Sequence, residues 1–122
     1  QSTATNTRKH SSSTYKSIQS AYNNRQSDIQ VRQTGKVVKV LADDLKGSRH
    51  QRFILKFGQL SILVAHNIDL APKIDGLRVG DSVEFYGEYE WNEKGGIVHW
   101  THHDPADHHI NGWLKHQGKT YQ

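Results

Sequence analysis

Residues 82–101 read SVEFYGEYEWNEKGGIVHWT, and their alternation decides the fold class. Val83, Phe85, Gly87, Tyr89 and Trp91 fall on one side of an extended chain. Glu84, Tyr86, Glu88 and Glu90 fall on the other. A period of two with one apolar and one acidic face is the signature of a half-buried strand. Glu93-Lys94-Gly95-Gly96 follows as a turn, and Ile97 to about Thr101 returns as a second strand. If Lys94-Gly95 is a two-residue turn, Trp91 opposes Val98, Tyr89 opposes Trp100 and Gly87 opposes His102. On the polar side Glu90 then meets His99, Glu88 meets Thr101 and Tyr86 meets His103. A one-residue slip would put Trp100 among the acids, so the apolar partners favour the first register.

Working outward, three more strand-like runs precede this hairpin. Ile29 to Leu41 is rich in β-formers, with Gly35 marking a bulge or bend. Gln51 to Phe57 sets Phe53, Leu55 and Phe57 against Arg52 and Lys56. Gly58-Gln59 turns the chain into Leu60 to Ala65, a more fully buried strand. Residues 66–78 connect to the last hairpin, and Pro72 argues against a long helix there. Five short strands with a longer break between the third and fourth predict an all-β fold, a small OB-like Greek-key barrel over residues 29–122. A five-stranded SH3-like barrel is the alternative. Gly112-Trp113-Leu114 reads as a terminal segment covering the barrel, with Trp113 an anchor rather than a ligand platform.

The N-terminal part differs in character. Residues 1–13 form a polar Ser/Thr-rich tail. Residues 14–28 predict an amphipathic helix with Tyr15, Ile18, Ala21 and Tyr22 on one stripe, capped by Ser13 or Thr14, packing on the domain. Charge is divided the same way. Residues 1–32 hold five Lys/Arg against Asp28 alone, while residues 33–122 hold eleven Lys/Arg and eleven Asp/Glu. The pI near 9.4 therefore reports the N-terminal segment, which weakens the inference from a basic pI to nucleic acid.

With 122 residues, 34% apolar, the chain makes one domain with a modest core. It has no cysteine, which excludes disulfides, thiolate metal sites and a cysteine nucleophile. No apolar run is long enough to cross a bilayer as a helix. A chain that begins Gln1-Ser2-Thr3 reads as processed, which makes a periplasmic or secreted location the expectation.

Six of the nine histidines lie between His99 and His116. Imidazole binds metals and changes charge in mild acid. The candidate ligands or catalytic groups are His99, His102, His103 and Glu90, with Asp104 as a further metal ligand, and the cofactor they suit is a divalent metal such as zinc. His99 and His103 would stand about 13 Å apart on a straight strand. A single-ion site therefore requires the strand to bend or end near Thr101, and Asp104-Pro105 supplies a break. The plain alternative is a Glu–His hydrogen bond on a solvated face. His108-His109 falls in a polar stretch and reads as exposed. A separate set of candidate binding residues comprises Arg52, His66, Asn67, Asp69, Tyr86 and Glu88, with Arg52 suited to a phosphate or carboxylate.

His50-Gln51-Arg52-Phe53, Val64-Ala65-His66-Asn67-Ile68-Asp69-Leu70-Ala71-Pro72, Gly87-Glu88-Tyr89-Glu90-Trp91-Asn92, His99-Trp100-Thr101-His102-His103-Asp104-Pro105 and Gly112-Trp113 are distinctive phrases. In them the chain resembles an uncharacterised family of small, often exported bacterial proteins, over roughly residues 35–122. The resemblance implies no established active site. Three functions stay open: a binding module for nucleic acid or another anionic oligomer, a metal-dependent phosphodiesterase or nuclease, and a metal or pH sensor. No nucleophile elbow supports serine-triad catalysis.

Overall fold

A computed structural model describes residues 17–122. Ser13, Thr14 and Tyr15, and the polar tail, lie outside the described residues. The helix α1 (Ile18–Asn23) is capped by Ser17, whose hydroxyl accepts the Ser20 N–H at 3.1 Å. Its buried face is Ile18 and Ala21. Tyr22 stacks on Trp91 with ring centroids 6.3 Å apart, and the Trp91 indole N–H donates to the Tyr22 carbonyl. The helix thus packs its apolar face into the barrel core.

The strands are β1 (Ile29–Val40), β2 (His50–Phe57), β3 (Leu60–Asn67), β4 (Ser82–Glu90) and β5 (Ile97–His99). They run in the order β1-β2-β3-β5-β4, and β4 pairs back with β1 to close a five-stranded barrel. All pairs are antiparallel except β3–β5. This is the OB-like arrangement the strand spacing predicts. The twelve-residue β1 serves two partners. Ile29 to Lys36 pairs with β4 and Lys36 to Val40 with β2. The expected irregularity falls two residues beyond Gly35, where the register with β2 shifts between Val37 and Lys39.

Alternation filled the interior as expected. Val31, Phe53, Leu55, Ile62, Val64, Val83, Phe85, Tyr89 and Val98 are buried, and Phe57 meets Phe85 edge-on at 6.0 Å. Trp91 packs on this core while half-buried.

Two details of the last hairpin differ from the sequence reading. The observed partners are Glu88–His99, Tyr89–Val98 and Glu90–Ile97, a slip of two residues. A slip of two preserves both faces, so the acids and His99 still share the outer side. Its cause is the turn. Residues 91–96 all lie outside the ladder, and the Asn92 side chain accepts the N–H groups of Lys94 and Gly96. Gly95 and Gly96 take φ of 127° and 104°, left-handed values that suit glycine. They let the Tyr89 hydroxyl reach the Gly95 carbonyl at 2.6 Å, and burial pushes that phenol up to about 12. The returning strand ends at His99, because Trp100 turns the chain with φ of 56°.

The terminal segment is a hairpin that periodicity did not separate: β6 (Trp113–His116) and β7 (Lys119–Tyr121). β6 extends the sheet along β4, from Val83–His116 to Tyr86–Trp113. Leu114 and Tyr121 are the buried anchors, whereas Trp113 is half-buried on the outer face beside Tyr86. No helix among the described residues is long and apolar enough to cross a membrane.

Candidate functional site

The outer face of β4 and β5 concentrates the ionisable groups. Glu88 opposes His99 in register, and Glu90 lies one outward step further along the same strand. The His99 Nε2 stands 3.4 Å from a Glu90 oxygen and 3.5 Å from a Glu88 oxygen. One ligand atom from each of the three lies within 4.8 Å of the others. All three side chains are half-buried, with 17–35% exposure, so water screens them less than a free surface cluster.

Two more groups close in. Asp28 enters β1 with φ of 59°. A hydrogen bond to Glu90 and the Glu90 charge raise the Asp28 carboxyl above its usual range, with the His99 charge pulling the other way. Two carboxyls placed side by side mark a place short of positive charge. From the opposite side comes His109, whose Nε2 is 2.6 Å from Glu88 Oε1 while its Nδ1 faces the Ile110 carbonyl at 2.9 Å. Acceptors at both nitrogens favour the imidazolium. Burial pushes His109 down, but the Ile110 carbonyl and the Glu88 carboxylate together hold it above the ordinary value.

His109 arrives there because of Asp104. That carboxylate accepts the N–H groups of Ala106, His108 and His109, and its own N–H donates to the Asn111 side chain. The His108 and Ala106 N–H bonds draw the Asp104 carboxyl below its usual range. The loop so folded lays the His109 ring flat on Trp100, with centroids 3.9 Å apart and planes 7° from parallel. Gly87 completes the fit from beneath. A Cβ there would meet the His99 carbonyl at 2.7 Å and the Thr101 methyl at 2.9 Å, so glycine lets β5 approach β4.

The C-terminal histidines therefore separate. His99 and Glu90 come together with Glu88. His102 is buried against Trp100, with its Nδ1–H on the His103 carbonyl, and His103 is exposed. Asp104 organises the loop. The strand break the sequence reading required does occur, but it delivers His109 to the carboxylates instead of His102 or His103. Alternation along a strand cannot find His109, which lies in a loop; its only sequence signal is an aspartate placed to cap the N–H groups that follow.

The other candidate residues occupy different surroundings. His66 is fully buried: its Nε2–H donates to the Pro72 carbonyl at 2.9 Å and its Nδ1 accepts from the Thr101 hydroxyl at 2.7 Å. Burial lowers its pKa to about 4. Asn67 accepts the Asp69 N–H, and Asp69 in turn binds Arg49 through backbone and guanidinium. Arg52 donates twice to the Ala42 carbonyl. Tyr86 faces Trp113 with ring centroids 5.9 Å apart. Gln30, opposite Glu88 across the β1–β4 ladder, has a buried side-chain nitrogen without a hydrogen-bond partner among the described residues.

Compared with known proteins, residues 2–122 match the family described as Protein of unknown function (DUF3465). The match includes the N-terminal segment, which the resemblance in sequence phrases left out. No curated protein matches the chain.

Proposed function

Since the chain belongs to the DUF3465 family, whose description names no activity, we propose from its own side chains that it is a ligand-binding barrel whose ligand is a divalent cation. The observation that carries this reading is the convergence of Glu88, Glu90 and His99 within 4.8 Å. A mixed oxygen and nitrogen donor set at that separation suits zinc or another first-row divalent ion. Asp28 adds a carboxyl beside Glu90, and a bound cation would relieve the crowding between the two. His109 acts as a positioning residue, holding Glu88 in place by a hydrogen bond to one of its oxygens.

Titration calorimetry of tag-free protein with zinc and with manganese tests the proposal. One-site binding is expected, reduced at least about tenfold in Glu90→Gln/His99→Ala and unchanged in His102→Ala/His103→Ala. No binding, or equal loss in both variants, overturns it, because the second pattern is that of loose chelation by histidine-rich sequence.

A further inference from the structure

The outward row of β1 starts at the cation site and leads away from it. Gln30 stands beside Glu88, Arg32 beside Tyr86, Thr34 beside Glu84, and Lys36 beside Ser82. The six steps of strand from Gln30 to Lys36 make this row about 20 Å long. Across β4, Trp113 opposes Tyr86 and Lys115 opposes Glu84. Both Arg32 and Lys115 lie over the Trp113 ring, at 5.2 and 4.8 Å from its centroid. At the far end Lys36 opposes Lys56 of β2, both exposed, and neither makes an ion pair among the described residues. Like charges directly opposite each other destabilise a sheet, so this pair suits a bound anion. The strip sets Arg32, Lys36, Lys56 and Lys115 against Glu84, which pairs with Arg32. A domain with balanced charge is thus sorted into an acidic end and a basic end joined by two aromatic rings.

We propose that this strip is a docking track for single-stranded nucleic acid, with one phosphate at the cation held by Glu88, Glu90 and His99 and a later phosphate on Lys36 and Lys56. The proposal rests on the cation reading at its acidic end. Phosphate and carboxylates repel, so that end accepts a polyanion only once a metal is bound. Once Arg32 and Lys115 swing from the Trp113 ring to phosphates, that ring favours single strands, because a duplex hides the base faces that stack on aromatic rings. The row's length suits the few nucleotides that one small barrel covers.

The test is fluorescence anisotropy of a labelled oligothymidylate of about twelve nucleotides, at several salt concentrations, with and without manganese. The wild-type protein is expected to bind more tightly with manganese. Lys36→Gln/Lys56→Gln should reduce the salt slope by about two while leaving manganese calorimetry unchanged. Trp113→Ala should weaken binding about tenfold. Glu90→Gln/His99→Ala should abolish the manganese enhancement and keep the lysine-dependent slope. If manganese binds but the oligonucleotide does not, the track is wrong and the cation reading stands. If the oligonucleotide binds with the lysine slope but ignores manganese, the phosphate-on-metal half is overturned. Equal competition by base-free polyphosphate, or no effect of Trp113→Ala, would overturn the nucleic-acid assignment.

Discussion

His66 on β3 and His99 on β5 stand on two adjacent strands of the same barrel wall, one facing inward and the other outward. The inner ring has a hydroxyl and a carbonyl for company, and both of its nitrogens are satisfied while it is neutral. The outer ring has two carboxylates within 3.5 Å, and a third carboxyl leans on one of them. Hydrogen-bond complementarity locks the first ring into one tautomer, which makes it structural. A surplus of negative charge around the second is what the proposed cation site rests on. The same residue type therefore plays opposite parts, decided by whether its neighbours are neutral or ionised.

Removing the inner ring should produce the largest effect. His66→Ala leaves the Thr101 hydroxyl and the Pro72 carbonyl unpaired in the interior and opens a cavity. The expected cost is about 3–4 kcal/mol, measured as a shift of the urea midpoint at constant slope. An unchanged midpoint would show that the ring is not holding β3 to the Thr101 segment.

Acid tests the inner ring next. His66 titrates near 6.5 when unfolded and at about 4 when folded. Between those values the unfolded chain takes up a proton that the folded chain refuses. Stability is therefore full above about pH 6.5 and falls toward pH 4, by up to about 3 kcal/mol from this ring. Urea unfolding followed from neutral pH downward reads this loss, and His66→Ala should lack that part of it. A wild-type profile flat between pH 6.5 and 4.5 would remove the basis for calling the inner ring buried and neutral.

The smallest effect sharpens the outer half of the comparison through its sign. Glu90→Gln relieves the crowding with Asp28, so the metal-free protein should melt slightly higher than the wild type. With zinc present the order should reverse, because the wild type alone retains the full donor set. Scanning calorimetry with and without chelator reads both. The same order in both conditions would leave the carboxylates as ordinary surface groups.

Much of this was legible from residues 82–101, because side-chain alternation is a local property. It placed Val83, Phe85 and Tyr89 inside and Glu88, Glu90 and His99 outside before any pairing was known. The pairing itself was missed by two residues, because Asn92 organises a longer turn than Lys94-Gly95 alone suggests. Trp113 read as an anchor because the β6–β7 hairpin was not recognised; four-residue and three-residue strands carry too few alternations to establish a period. His109 was hidden more deeply. Its position depends on Asp104 gathering N–H groups around a loop and on stacking against Trp100, neither of which follows any repeat along the chain.

The sequence by itself determined which side chains share a face, since a strand's period of two is enforced within a few residues by the backbone. It thereby determined the all-β class and the acidic outer surface of β4. Only the tertiary structure decided which of those faces meet: Glu88 with His99 and His109, Asp28 with Glu90, and Lys36 with Lys56. Such meetings join segments distant along the chain. They are set by turn geometry, loop capping and barrel closure, which act only once the whole chain has folded.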